Sequence, residues 1–253
     1  MNTDQELISP EGTPNEGSAN LKARSARTVN LIHLLWYEIK VSAPAAVWML
    51  PLIGMAGLFL LLDVQAEARE RMQFIALFAE VIFPLVIMFM TNGLVLRERE
   101  ENSLAFVAVR SKLTVLWLRR LGALLGYYLI CLGGLLVIYH LFYLPLPIGQ
   151  MLVASLAVSL TLIGLSSATS LLLKEMNTGY LVGSLWWAMC LIGPRAAIVI
   201  FGPYFYLFYF WFTARENLGT ETWLFNKLVL TGLGLMFILI STLLLRRTER
   251  LFT

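Results

Sequence analysis

Charge is scarce in this sequence. Asp, Glu, Lys and Arg make up 14% of its 253 residues, against roughly 25% in an ordinary soluble domain, while 58% are hydrophobic. A soluble core of this length would interleave charge every few residues, so water is excluded as the main solvent. Histidine and cysteine are scarcer still, two of each. His33 and His140 stand far apart on opposite predicted sides, and Cys131 and Cys190 sit inside apolar runs, so neither a metal site nor a disulfide framework is expected. Also missing are a G-x-x-x-x-G-K-[ST] phosphate loop, a G-x-S-x-G nucleophile elbow and an H-E-x-x-H zinc pair. No residue is therefore assigned a catalytic role. The chain is not expected to be an enzyme, to hold a cofactor of its own or to bind nucleic acid.

What is present is a set of apolar runs, each with at most one charged residue, approaching or exceeding the roughly 20 residues that a helix needs to cross a bilayer. They fall at 41–62, 74–95, 121–141, 150–173, 180–212 and 225–245. Helices are the expected form, because a backbone amide left unpaired in lipid costs several kcal/mol. The run 180–212 is too long for one span, and Gly193, Pro194, Gly202 and Pro203 interrupt it where a helix would break. It is predicted to be one span followed by a re-entrant or interfacial hairpin. The fold class expected is an all-α integral membrane protein with six transmembrane helices.

Six spans put both termini on one side. With the N-terminus inside, the outer segments hold Arg69, Arg71, Arg195, Arg215 and Lys227, and the other 14 of the 19 Lys and Arg residues lie inside. That bias matches the cytoplasmic preference of Lys and Arg, so both ends are placed in the cytoplasm and the chain in the cytoplasmic membrane. Residues 1–28 are rich in Gly, Pro, Ser, Asn and Glu, and read as a disordered cytoplasmic tail ahead of a permease-sized domain, 29–253. Their apolar content does not fit a signal peptide. In "NLIHLLWYEIK", Asn30, His33, Tyr37 and Lys40 share one helical stripe, and Leu31, Leu34, Leu35 and Ile39 another. This is the pattern of a helix lying in the inner membrane interface.

"FGPYFYLFYFWF" (201–212) carries nine aromatic residues in twelve, which suits an anchor at headgroup level or an outer gate touching substrate. "GLSSATS" (164–170) and "GALLG" (122–126) supply small residues for close helix packing, with a lining role for Ser166, Ser167 and Thr169 open if that face meets a cavity. Glu80 and Arg195 are the two ionisable groups that fall within or near the outer halves of their spans. Charge there is costly and usually paired or functional, so the two are candidates for an intramembrane ion pair. The alternative leaves Glu80 at the surface and lets Arg195 snorkel outward.

The stretch "LREREENSLAFVAVRSKLTVLWLRRL" (96–121) puts nine charged side chains into a chain that is otherwise apolar. In the six-span topology it is the longest internal loop, within reach of a soluble partner. Arg97, Glu98, Arg99, Glu100 and Glu101 form a mixed-sign run, and Asn102 or Ser103 can cap a short helix. "LAFVAV" follows, then a basic turn at Arg110, Ser111 and Lys112. Leu104, Phe106 and Val107 need a surface to lie on.

Here the sequence resembles the membrane subunit of a type-2 ABC exporter, whose hallmark after the second span runs E-R-E-x-G-T-L-E-x-L-L, then a P-x-S-R-like turn. Glu98, Arg99 and Glu100 stand in that charged run, Asn102 replaces the Gly, Ser103 the Thr, and Leu104 is in register. Val109 stands near the missing proline, and Arg119 with Arg120 replace the later Gly-Lys pair. The resemblance implies a half-transporter that pairs with a second permease subunit, alike or different, and binds two cytoplasmic ATPase subunits carrying ATP and Mg. It further implies that 96–120 is the coupling loop, with Glu98, Glu100, Glu101, Ser103, Leu104, Phe106, Val107, Arg110 and Lys112 meeting the ATPase. The substrate would be hydrophobic or amphipathic, such as a lipid, antibiotic or peptide. Two other classes compete: a non-transporting scaffold or sensor, and an intramembrane lipid-modifying enzyme. A phosphate-loop ATPase encoded beside this chain separates the first reading from the others.

Overall fold

The computed structural model describes residues 33, 36–37, 39–40, 48–63, 68–92, 94, 112–142, 145–191, 207–208, 210 and 214–249. The chain divides into two units, 1–37 and 38–253. In the first, His33, Trp36 and Tyr37 are helical and exposed. The second contains all the elements that follow, and among the described residues it has helices and no strand.

Its helices are α1 (Met49–Asp63), α2 (Ala68–Leu77), α3 (Phe83–Asn92), α4 (Leu113–Phe142), α5 (Ile148–Leu173), α6 (Met176–Leu191) and α7 (Ala214–Glu249). A π-helical turn, Phe78–Ile82, joins α2 to α3, so the two form one interrupted span. Four stretches are long and apolar enough to cross a membrane: Glu70–Asn92, Leu113–Phe142, Ile148–Leu173 and Glu221–Arg247. They mark the chain as a multi-pass membrane protein. α1 and α6 are equally apolar but cover 15 and 16 residues. Of the hairpin expected in the second half of 180–212, residues 207, 208 and 210 are described; its other residues and the tail 1–28 lie outside the described residues.

Punctuation in the sequence sets the helix ends. Pro147 precedes the first turn of α5, where a missing N–H costs nothing. At its other end Lys174 takes a left-handed conformation (φ 60°), and the Glu175 N–H returns to the Ser170 carbonyl at 3.1 Å. The chain thereby reverses within two residues into α6.

α5 is the centre of the bundle, packed against α7 along much of its length and also against α3, α4 and α6. In lipid there is little hydrophobic drive for two helices to meet, so close backbone approach and interhelical hydrogen bonds carry the contact. Two glycines provide it. A Cβ added to Gly164 would fall 2.6 Å from the Gly234 carbonyl oxygen, and one added to Gly234 would fall 2.6 Å from the Leu160 carbonyl carbon. Beside this crossing, Thr161 Oγ1 donates to the Leu230 carbonyl at 2.7 Å. The packing expected of "GLSSATS" is met at Gly164. Gly122 and Gly126 of α4, by contrast, have nothing within 4 Å of an added Cβ.

That difference gives an internal control. Gly164→Ala is expected to force the α5–α7 crossing apart and cost about 1–3 kcal/mol. Gly122→Ala meets no neighbour and is expected to change stability by less than about 0.5 kcal/mol. Thermal unfolding of the two variants in detergent checks the contrast.

Candidate functional site

Pro84 explains the interruption of the second span. It has no N–H to donate, so neither Glu80, four residues back, nor Ala79, five back, can receive a backbone bond from it. The N–H of Phe83 reaches back five residues to the Phe78 carbonyl instead of four to Ala79. The Ala79 carbonyl is thus deprived of both its α-helical and its π-helical donor. Ser155 Oγ of α5 fills that role by donating to it. With the Ser155 proton so used, the Tyr128 hydroxyl of α4 donates to Ser155 Oγ. Ser159 Oγ in turn lies 2.9 Å from the Tyr128 hydroxyl. Trp187 Nε1 of α6 donates to the Val81 carbonyl at 2.9 Å. Three neighbouring helices therefore hold a backbone turn that cannot satisfy itself, as burial in an apolar medium requires.

Glu80 projects from the middle of this turn, and its residue is 1% exposed. Its Oε2 receives a hydrogen bond from Lys227 Nζ of α7 at 3.2 Å, and the two side chains are 1% and 2% exposed. Lys227 shares a face of α7 with Trp223 and Leu230, both buried. Glu80 Oε1 has no hydrogen-bond partner among the described residues. A buried ion pair therefore joins the Glu70–Asn92 span to α7.

This corrects one expectation and leaves another outside the described residues. Helix begins at Ala68 rather than at 74, so Glu80 lies near the middle of the Glu70–Asn92 span and is not at the surface. Its partner among the described residues is Lys227, one of the charges expected on the outer side; Arg195, the partner expected from the sequence, lies outside the described residues. Lys227 could have been found: it falls inside the Glu221–Arg247 span, where a lone cation needs a counter-charge.

A second polar cluster sits at the end of the bundle where residues 95–111 leave and return. Asn92 Nδ2 donates to the Met176 carbonyl at 2.9 Å, and Ser170 Oγ donates to Asn92 Oδ1 at 2.6 Å. Gly179 of α6 leaves room for this, since an added Cβ would fall 2.6 Å from Asn92 Oδ1. Arg120, 9% exposed, donates from Nη1 to the Leu94 carbonyl at 3.0 Å. The departing and returning arms of the loop are thus tied to each other, and its departing arm is tied to α5 and α6.

Of the residues expected to meet a partner ATPase, Lys112 is described, and it is exposed just ahead of α4. Glu98, Glu100, Glu101, Ser103, Leu104, Phe106, Val107 and Arg110 lie outside the described residues. Arg120 was read only as a stand-in for a family Gly-Lys pair, and its bond to Leu94 had no sequence signal beyond its position at the foot of the loop. Ser166 and Ser167 are buried, with no hydroxyl partner among the described residues, and Thr169 Oγ1 returns to its own helix at Leu165, 2.9 Å away. None of the three lines the apolar groove of about 580 Å³ that runs along α6 past Leu85, Tyr180, Leu185 and Trp187.

Among the described residues no group of three or more His, Cys, Asp or Glu side chains could hold a metal, and Cys131 and Cys190 are free thiols. The site's chemistry is that of charge held in an apolar medium beside a broken helix. No family model, curated protein or solved structure matches the chain.

Proposed function

We propose that this chain is the membrane-spanning half of an ATP-driven exporter resembling the type-2 ABC class. It would move a hydrophobic or amphipathic substrate across the cytoplasmic membrane. In this reading the chain crosses six times with both ends inside, α1 and α6 extend into full spans, and a re-entrant hairpin joins the fifth and sixth. A second permease subunit completes the path, and two separate ATPase subunits bind and hydrolyse ATP with Mg.

The observation that carries this reading is the mounting of residues 95–111. A loop that only linked two spans would need no anchorage, whereas one that receives a push must be fixed to what it moves. Here Asn92 is bonded to Ser170 and to the Met176 carbonyl, and Arg120 to the Leu94 carbonyl. Force applied between Glu98 and Lys112 would therefore reach α3, α4, α5 and α6 together.

Two experiments test the reading. Asn2→Cys, Ser111→Cys and Thr220→Cys, each in a chain with Cys131 and Cys190 replaced by Ser, are expected to show only position 220 reacting with an impermeant maleimide from outside. Reaction of a cysteine at position 253 from outside rules out the six-span arrangement. Reversal of Glu100 and Glu101 to Lys is expected to weaken ATPase association in a salt-dependent way, because rim charges are screened over about 8 Å at physiological ionic strength. Association unaffected by either charge or salt contradicts docking at this segment.

A further inference from the structure

We propose that the π turn and the Glu80–Lys227 pair are a hinge and its latch: while the pair is made, α2 is held toward α7, and when it breaks, α2 swings about Pro84. The proposal goes beyond the transporter reading and does not depend on it, since it concerns how the bundle opens and not what drives the opening.

The two halves of the second span are held very differently. α3 packs against α4, α5 and α6, and its last residue, Asn92, is hydrogen-bonded to two of those helices. α2, among the described residues, has no packing of that extent against another helix, and its buried residues, Ile75 and Ala76, lie just before the π turn. Between them, the helical hydrogen-bond ladder is broken at Ala79 and Pro84, and bonds from Ser155 and Trp187 replace it. Breaks of this kind are where helices bend.

The position of Glu80 makes the pair a latch. It sits within the turn itself, and Lys227 reaches it from α7, a helix that meets the second span mainly through α5. Breaking the pair therefore removes the charged tie between the hinge and α7. The carboxylate is only half used. Oε2 carries the bond to Lys227 and Oε1 has no partner among the described residues. A permanent strut in an apolar medium would satisfy both oxygens, because an unmet buried acceptor is costly.

The test reads motion on either side of the hinge. Ala76 of α2 is 1% exposed and Val86 of α3 is 6% exposed. Each is replaced by Cys in the full chain lacking Cys131 and Cys190, and alkylation by N-ethylmaleimide is followed in membranes. Glu80→Gln is expected to speed reaction at position 76 by about tenfold or more while position 86 changes by less than about threefold. Exchanging the charges, Glu80→Lys with Lys227→Glu, is expected to bring position 76 back to within about threefold of the original rate. Glu80→Asp keeps the charge but shortens its reach. It decides the matter where Glu80→Gln does not accumulate, with an expected rise at position 76 of about threefold or more. Equal acceleration at both positions means general loosening, and no acceleration at either means a fixed strut. Each of those results overturns the hinge and latch, as does a charge exchange that leaves position 76 fast.

Discussion

Lys227→Gln alone is expected to destabilise the inserted protein by about 3–5 kcal/mol, and Glu80→Gln alone by an amount toward the lower end of that range. Either change leaves one buried charge without its partner. Lys227 is the more damaging loss. Its long stem lets it bend toward the membrane surface when Glu80 is gone, whereas the short Glu80 side chain, 1% exposed, lacks that reach. The double variant removes both charges and is expected to recover most of the loss, since neutral replacement of a buried pair is often tolerated. The measurement is the temperature at which each variant loses monodispersity in detergent. Recovery in the double variant is the signature of a pair, and strictly additive losses contradict it.

Much of this architecture was legible in the sequence because the bilayer imposes it. The run 150–173 and the helix Ile148–Leu173 agree to within two residues, since Pro147 starts the helix and a charged pair, Lys174 and Glu175, follows it. The third span was drawn from 121, but its helix begins at Leu113. Arg119 and Arg120 end the uncharged run, but Leu113, Leu116 and Trp117 are buried one and two turns before them and Arg120 folds onto the Leu94 carbonyl. Periodicity across a pair of charges carries that information; a search for uncharged runs discards it.

Glu80 was recognisable as unusual from position alone, and so was Lys227 as a charge inside an apolar run, but not that the two meet. Lys227 lies 147 residues further on, and only the packing of α7 along α5 brings the two together. The π turn was written in the sequence as Pro84 standing four residues after Glu80, a spacing that deprives the Glu80 carbonyl of its usual donor. Which neighbours repair the turn depends on tertiary contacts from Ser155, Tyr128 and Trp187 on three other helices, and no local pattern marks them.

The central claim is that residues 96–120 couple this chain to a separate ATPase, and Leu104→Ala with Phe106→Ala tests it most directly. Full burial of a Leu or Phe side chain contributes roughly 1.5–3 kcal/mol, and every 1.4 kcal/mol is about tenfold in affinity. Losing both side chains is therefore expected to reduce ATPase association by about a hundredfold. The spans themselves do not contain either residue, so insertion and thermal stability are expected to stay unchanged. The decisive measurement is ATPase retained on the purified permease, together with the hydrolysis that the permease stimulates, in the double variant and the unaltered chain. Loss of both from a normally inserted, monodisperse variant is the predicted result. A double variant that holds its ATPase and stimulates it fully shows that this segment is not the coupling element, and the exporter reading falls with it.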